Sequence, residues 1–228
     1  MVFHGFQKLT LLDYPERVAC TLFTGGCNFR CPFCHNAGLV THIDEGAFSE
    51  EEVLAYLKKR KGVLDGVCVT GGEPLLQPGL PRFLERVKEE GYAVKLDTNG
   101  SFPARLKEFV YGGLVDYVAM DIKNAPEKYA ETAGAAVRLE DIRESVSLLL
   151  SGAVDYEFRT TLVKELHTEE DMKAIGAFIA GAKRYFLQTF RDSGDLIKAG
   201  YSALTEQETR RFSDIVLPYV PSVKIRGQ

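Results

Sequence analysis

Six times between residues 18 and 217 the sequence passes from a short apolar stretch, through a few polar residues, into a helical pattern. The stretches at 18–23, 66–70, 93–96, 115–120, 156–163 and 185–190 are short and rich in β-branched and aromatic residues, so they predict strands. Helices are predicted near 79–90, 103–111 and 139–151, and behind three cap sequences: Ser49 with Glu52, Thr168 with Asp171, and Thr205 with Glu208. A crossover helix returns the chain to the same end of the sheet each time, which makes the strands parallel. Six units fall short of the eight that close a full barrel. The expected architecture is α/β, an open (β/α)6 partial barrel of TIM type with parallel strands. Within one domain, residues 1–17 are expected to form an N-terminal arm, 18–217 the core, and 218–228 a C-terminal edge segment with a short strand near 223–225. Residues 37–48 read as a connection.

Function in such sheets gathers where the strands end. The first strand runs into Gly26-Cys27-Asn28-Phe29-Arg30-Cys31-Pro32-Phe33-Cys34-His35-Asn36, with cysteines spaced C-x3-C-x2-C. Three thiolates on one loop can hold three corners of a cubane of four irons and four sulfides and leave the fourth iron open. An electron-transfer cluster is normally closed by four cysteines. Two other readings stand beside this one. His35 could complete a structural zinc site, although such sites draw on two separated ligand pairs and adjacent side chains diverge. Cys31 and Cys34 could form a redox dithiol, which leaves Cys27 without a role. Cys20 and Cys68 sit inside apolar runs and read as small core residues.

Composition narrows the partners. Lys and Arg number 28 against 32 Asp and Glu, a formal charge of −4, and no basic block appears, so nucleic acid is not an expected partner. No apolar run approaches the roughly 20 residues of a bilayer span, and the N-terminus lacks a signal-peptide pattern. Five cysteines, three of them bunched, fit reduced thiols better than disulfides. A cytoplasmic location is expected.

The loop, C-x3-C-x-aromatic-C, resembles the signature of the radical S-adenosylmethionine (radical SAM) superfamily. The residues from Asp13-Tyr14-Pro15 to Cys34-His35-Asn36 are similar to those of the glycyl-radical-enzyme activases, above all the anaerobic ribonucleoside-triphosphate reductase activating proteins. The likeness runs through nearly the whole chain and is strongest at 5–38, 71–73, 97–100 and 121–123. Where those relatives have Asp-Tyr-Pro-Gly, this chain has Glu16 after Pro15. The resemblance implies the same partial-barrel fold. It also implies a [4Fe-4S] cluster on Cys27, Cys31 and Cys34, with SAM chelated at the open iron through its amino and carboxylate groups.

The same resemblance assigns roles at the strand ends, each beside a plainer reading. Phe33 would pack the adenine, or only anchor the loop. Gly71 and Gly72 would bring their backbone to the amino end of SAM, or form a turn. Glu73 would accept hydrogen bonds from the ligand's ammonium, or serve a helix N-terminus. Asp97 and Asn99 would lie beside SAM, or make an Asx turn. Asp121 and Lys123, two apart on a strand, share a face; Lys123 would meet the SAM carboxylate or the partner's backbone, or the two form a local ion pair. Arg159 and His167 match positions near the ligand, His167 reading equally as a surface residue. His35 and Asn36 are candidates for hydrogen bonds to the cluster sulfurs. Gln188 matches a family position without an assigned role.

The activity implied is reductive cleavage of SAM, giving methionine and a 5′-deoxyadenosyl radical that takes a hydrogen atom from one glycine of a partner glycyl-radical enzyme. That partner would be an anaerobic ribonucleotide reductase or a pyruvate formate-lyase-like enzyme. The cluster's low potential, on the order of −400 mV or below, calls for flavodoxin or ferredoxin as electron donor. The alternative is a radical SAM enzyme acting on a small molecule, such as a 7-carboxy-7-deazaguanine synthase-like enzyme. A non-catalytic metal carrier is the reading from another class, and the polar residues at every strand end argue against it.

Overall fold

The computed structural model describes residues 1–41, 46–192 and 194–227. Parts of the expected 37–48 connection and of the 218–228 edge segment therefore lie outside the described residues. The chain divides into two compact units. Unit 1 takes Met1–Asn28, Gly38–Thr98 and Ala104–Val118; unit 2 takes Phe29–Ala37, Asn99–Pro103 and Ala119–Gln228.

The elements through unit 1 are β1 (Val2–Phe3), β2 (Gly5–Thr10), β3 (Ala19–Thr24), α1 (Ala37–Thr41, starting at the boundary), β4 (Phe48–Ser49), α2 (Glu50–Lys59), β5 (Gly66–Gly71), α3 (Leu80–Glu89), β6 (Ala93–Thr98) and α4 (Pro103–Tyr111). Strand β3 pairs in parallel with β5, from Ala19 opposite Gly66 to Thr24 opposite Gly71, and β5 pairs in parallel with β6. Cys20, Leu22, Val67, Cys68 and Val69 on these strands are fully buried, which is why they read as continuous apolar runs. Both cysteines are core residues, as expected. Ser49 and Glu52 close the capping box of α2.

Strand β7 (Tyr117–Asp121) crosses the boundary. Unit 2 then carries α5 (Tyr129–Ala133), α6 (Leu139–Leu150), β8 (Asp155–Leu162), α7 (Glu169–Phe178), β9 (Tyr185–Thr189), α8 (Glu206–Val216) and β10 (Val223–Arg226). Here β8, β9 and β10 pair in parallel in that order. Thr168 with Asp171, and Thr205 with Glu208, form the expected capping boxes. The fold is thus α/β, built on mostly parallel strands. No helix among the described residues is long and apolar enough to cross a membrane.

Three local departures from the sequence expectations have physical causes. Residues 5–10, expected within an arm, form β2 and pair antiparallel with β3. Gln7, Lys8 and Leu9 are exposed in succession, so apolar periodicity carries little signal there. Helices α1 and α5 fall in an expected connection and an expected loop, because five residues each are too few to show a helical period. Asp97, Thr98 and Asp121 belong to strands rather than following them.

Glu16 is the one non-glycine residue with positive φ among those described, at +61°. It lies in the turn that leads from buried Tyr14 to β3. A left-handed conformation costs a residue with a Cβ roughly 1–2 kcal/mol, and Glu16 is exposed and offers little packing in return. Glu16→Gly is therefore expected to raise stability by about 1 kcal/mol, net of the entropy that glycine adds to the unfolded chain. Urea unfolding midpoints of the two proteins check this; an unchanged or lower midpoint contradicts it.

Candidate functional site

In unit 1 the loop before Cys27 is sewn to the end of β5 and the turn after it by backbone bonds, to which the Thr24 hydroxyl (to the Thr70 carbonyl, 3.1 Å) and Gln77 Nε2 (to the Gly25 carbonyl, 2.7 Å) add side-chain donors. Gly72 N–H donates to the Thr24 carbonyl at 2.9 Å and Glu73 N–H to the Gly26 carbonyl at 2.8 Å, while Gly26 N–H donates to the Leu39 carbonyl of α1 at 2.8 Å. Gly71 has φ +118°, a region that side chains rarely enter, and a Cβ on Gly72 would overlap the Gly26 carbonyl oxygen. The close approach that these glycines permit is thus, at minimum, to the chain itself.

Glu73 is fully buried, and its Oε1 accepts from Leu75 N–H at 3.0 Å and from the Thr98 hydroxyl at 2.9 Å. The first bond caps the short 3-10 turn at 74–76, so the plainer reading of Glu73 holds at least in part. Asp97 pairs with Lys95, whose side chain is 2% exposed. The Lys95 ammonium also lies 3.7 Å from the Cys68 sulfur. Lys95 was missed at the sequence level, where a lysine inside an apolar strand was the available signal.

In unit 2 four of the expected residues come together. Asp121 Oδ2 accepts from the Lys123 ammonium at 2.9 Å, and Asp121 Oδ1 accepts from Arg159 Nε at 2.9 Å. Burial alone would raise the Asp121 carboxyl, but the charges of Arg159 and then Lys123 outweigh it and hold the pKa at about 2. Burial would likewise lower Lys123, and the negative charge of Asp121, followed by that of Cys31, drives it well above the ordinary lysine value instead. His167 is buried, not on the surface. Val163 N–H donates to its Nδ1 at 3.1 Å, which leaves Nε2 to donate to the Lys123 carbonyl at 3.0 Å. Burial lowers the His167 pKa, so the ring is neutral at physiological pH. Asp121 thus accepts from both Lys123 and Arg159, while His167 adds a neutral ring beside them.

Cys31 and Cys34 lie in the same unit, with Cys34 N–H donating to the Cys31 carbonyl at 3.0 Å. Cys31 is 8% exposed, Phe33 is buried, and Cys27 and Cys34 are half-buried. Burial pushes the Cys34 thiol pKa up, with the Asn36 amide and Lys123 partly offsetting it. His35 packs on Phe190, ring centroids 5.7 Å apart, and Lys198 N–H donates to the Pro32 carbonyl at 3.0 Å. Among the described residues, none of the three motif cysteines forms a disulfide. Soft thiolates on one loop are the donor set that an iron–sulfur cluster takes. Among the described residues no three His, Cys, Asp or Glu side chains converge as ligands of a single ion.

Asn99 Oδ1 accepts from Ser101 N–H at 2.9 Å and from the Ser101 hydroxyl at 2.6 Å, closing an Asx turn. Gln188 lies on β9 opposite Thr161 of β8 and Arg226 of β10. A hollow of about 600 Å3 borders His167 on the side of α7 and α8, lined also by Lys164, Thr168, Leu204, Arg211 and Phe212. His167 is the one candidate residue that reaches it.

A sequence model of the Radical SAM superfamily matches residues 21–179. The chain belongs to the radical SAM superfamily. It is 32% identical to a Methanocaldococcus jannaschii protein named "Putative glycyl-radical enzyme activating enzyme MJ1227", over 97% of this chain and 94% of that one. It is also 32% identical to the pyruvate formate-lyase-activating enzyme of Clostridium pasteurianum, where the match spans 54% of this chain and about half of the relative, 53%. Among crystal structures, Streptococcus suis SuiB superposes on 91% of this chain with a TM-score of 0.72 at 14% identity. This chain spans about half of SuiB, 48%. A domain of a pyruvate-formate lyase-activating enzyme from Bacteroides vulgatus superposes on 71% of this chain, and over 99% of its own length, with a TM-score of 0.58 at 19% identity. At such identities the likeness is one of fold, that of radical SAM partial barrels. Membership of the superfamily implies SAM and an iron–sulfur cluster, and SuiB has been crystallised with S-adenosylmethionine.

Two outcomes follow from this geometry. Gly72→Ala forces the loop ahead of Cys27 away from β5, and is expected to cost about 2 kcal/mol or more and to lower iron uptake; wild-type stability in urea together with wild-type iron content contradicts the seam. Asp121 has a folded pKa near 2, below its ordinary value of 3.8. Its contribution to stability is complete above the unfolded value and is lost as the pH falls from there through about 2. Between pH 5 and pH 3 the wild type should lose more stability than Asp121→Asn; equal losses contradict the assignment.

Proposed function

We propose that this protein is a radical SAM activating enzyme that takes a hydrogen atom from a glycine of a partner glycyl-radical enzyme. The observation that carries the reading is the 32% identity to the M. jannaschii protein over 97% of this chain and 94% of that one. The likeness to the C. pasteurianum enzyme supports the same class. Cys27, Cys31 and Cys34 are the proposed ligands of a [4Fe-4S] cluster with one open iron. When bound, that cluster supplies the electron that breaks the carbon–sulfur bond to the 5′ carbon of SAM.

The chain's own residues bind and orient. Lys123, fixed by Asp121 and by the His167 bond to its carbonyl, presents an ammonium to the SAM carboxylate, and Arg159 adds the second positive charge of the trio. That arrangement is held before the ligand arrives, so little reorganisation opposes binding. Glu73 and the backbone of Gly71 and Gly72 take the amino end of SAM, Phe33 packs the adenine, and Asp97 and Asn99 supply polar contacts beside it. The reductant is flavodoxin or ferredoxin, and the setting is the cytoplasm, where thiols stay reduced. Anaerobic ribonucleotide reductase and a pyruvate formate-lyase-like enzyme are the proposed partners.

A second reading is radical chemistry on a small molecule. It is favoured by 32% identity to the 7-carboxy-7-deazaguanine synthase of Methanopyrus kandleri, over 43% of this chain and 46% of that one. The shorter coverage places it second.

The deciding experiment mixes the reconstituted, reduced protein with SAM and a candidate glycyl-radical enzyme under anaerobic conditions. The expected result is 5′-deoxyadenosine together with a glycyl doublet in the partner's EPR spectrum, both lost in Cys31→Ala. SAM cleavage with turnover of a small heterocycle, and no doublet with any such partner, contradicts the activase.

A further inference from the structure

We propose that α5 and the left-handed Gly134 behind it form a bracket that sets the cysteine loop against the Asp121–Lys123 strand end, with Gly134 as its positioning residue. The inference rests on the reading of Cys31 and Cys34 as cluster ligands. Helix α5 has five residues, too few to be stable alone, so its place is decided by what it holds.

At its first residue, the Tyr129 hydroxyl donates to the Asp121 carbonyl at 3.3 Å. In its middle, Thr132 Oγ1 accepts from Asn124 Nδ2 at 2.8 Å, and the same nitrogen donates to the carbonyl of Leu166, beside His167, at 2.9 Å. At its last residue, the Ala133 carbonyl accepts from Arg30 N–H at 2.9 Å, one position before Cys31. Asn124, Tyr129, Thr132 and Ala133 are all buried. One small element thus touches the carboxylate-bearing strand end and the cysteine loop and, through Asn124, is tied to the His167 turn, all within unit 2.

Gly134 joins the last of these by two separate requirements. Its φ of +61° ends the helix in the left-handed region, and a Cβ there would overlap the Arg30 carbonyl oxygen. Gly113 meets only the first requirement: φ is +68° and nothing lies within 4 Å of where its Cβ would stand. A side chain at 134 must therefore push the Arg30 backbone, and Cys31 with it, out of place. Groups that orient metal ligands in this way are worth about 10–100-fold in metal affinity.

The test compares wild type, Gly134→Asn and Gly113→Asn after anaerobic reconstitution. Asparagine tolerates the left-handed region, so the first variant isolates the Cβ and the second controls for backbone conformation. Release of iron to excess chelator is followed by absorbance. Release about tenfold faster in Gly134→Asn, with Gly113→Asn at the wild-type rate, is the expected result. Equal rates in the three proteins overturn the bracket. Should Gly134→Asn fail to fold, Tyr129→Phe keeps the ring and loses only the hydroxyl on Asp121; faster release supports the bracket and the wild-type rate overturns it. A wild type that takes up no iron overturns the cluster reading and the bracket together.

Discussion

The carbonyl oxygen of Gly26 occupies the space that a side chain on residue 72 would need, and the direction of the cysteine loop depends on that contact. Parallel pairing brings β3 and β5 side by side, from Ala19 opposite Gly66 to Thr24 opposite Gly71. Beyond the last pair the two chains continue together through the bonds from Gly72 to Thr24 and from Glu73 to Gly26. Cys27 follows at once. A strand end that would otherwise release the chain as a free loop instead holds it, chiefly through backbone, with the Thr24 and Gln77 side chains donating to the Thr70 and Gly25 carbonyls. Backbone contacts of this kind lose little entropy on ligand binding, which is what a preorganised metal loop requires.

Charge in unit 2 is arranged by a different rule. Asp121, Lys123 and Arg159 are half-buried, and each would lose part of its hydration there without a partner in return. Together they compensate one another, Asp121 accepting from both cations. The opposing shifts of Asp121, held at about 2, and of Lys123, driven upward, are two views of this single coupling. His167 contributes no charge. Its neutral ring fixes the backbone carbonyl of Lys123, so the lysine is restrained at both its charged end and its main chain.

Much of the fold was legible because it rests on local signals. The six apolar stretches became strands, and the cap sequences at Ser49, Thr168 and Thr205 became capping boxes. Edge strand β2 was not legible, since an edge whose outward residues are exposed needs no apolar alternation. Nor was α5, whose position is fixed by tertiary contacts rather than periodicity. Within the candidate site, Asp121, Lys123 and Arg159 were legible as polar interruptions at strand ends, and the structure joins them. Asn99 shows the plainer alternative, an Asx turn with Ser101. Lys95 shows the reverse failure: its burial depends on Asp97, and a sequence displays the lysine without displaying the pairing.

The proposed reading turns on a cluster held by Cys27, Cys31 and Cys34 having one iron without a protein ligand. Electron–nuclear double resonance on the reduced protein, with SAM carrying a 15N amino group and a 17O carboxylate, addresses that iron directly. Hyperfine coupling from both labels to the cluster signal is the predicted result. Tetrahedral zinc in the purified anaerobic protein, or a cluster signal that neither label perturbs, would contradict it.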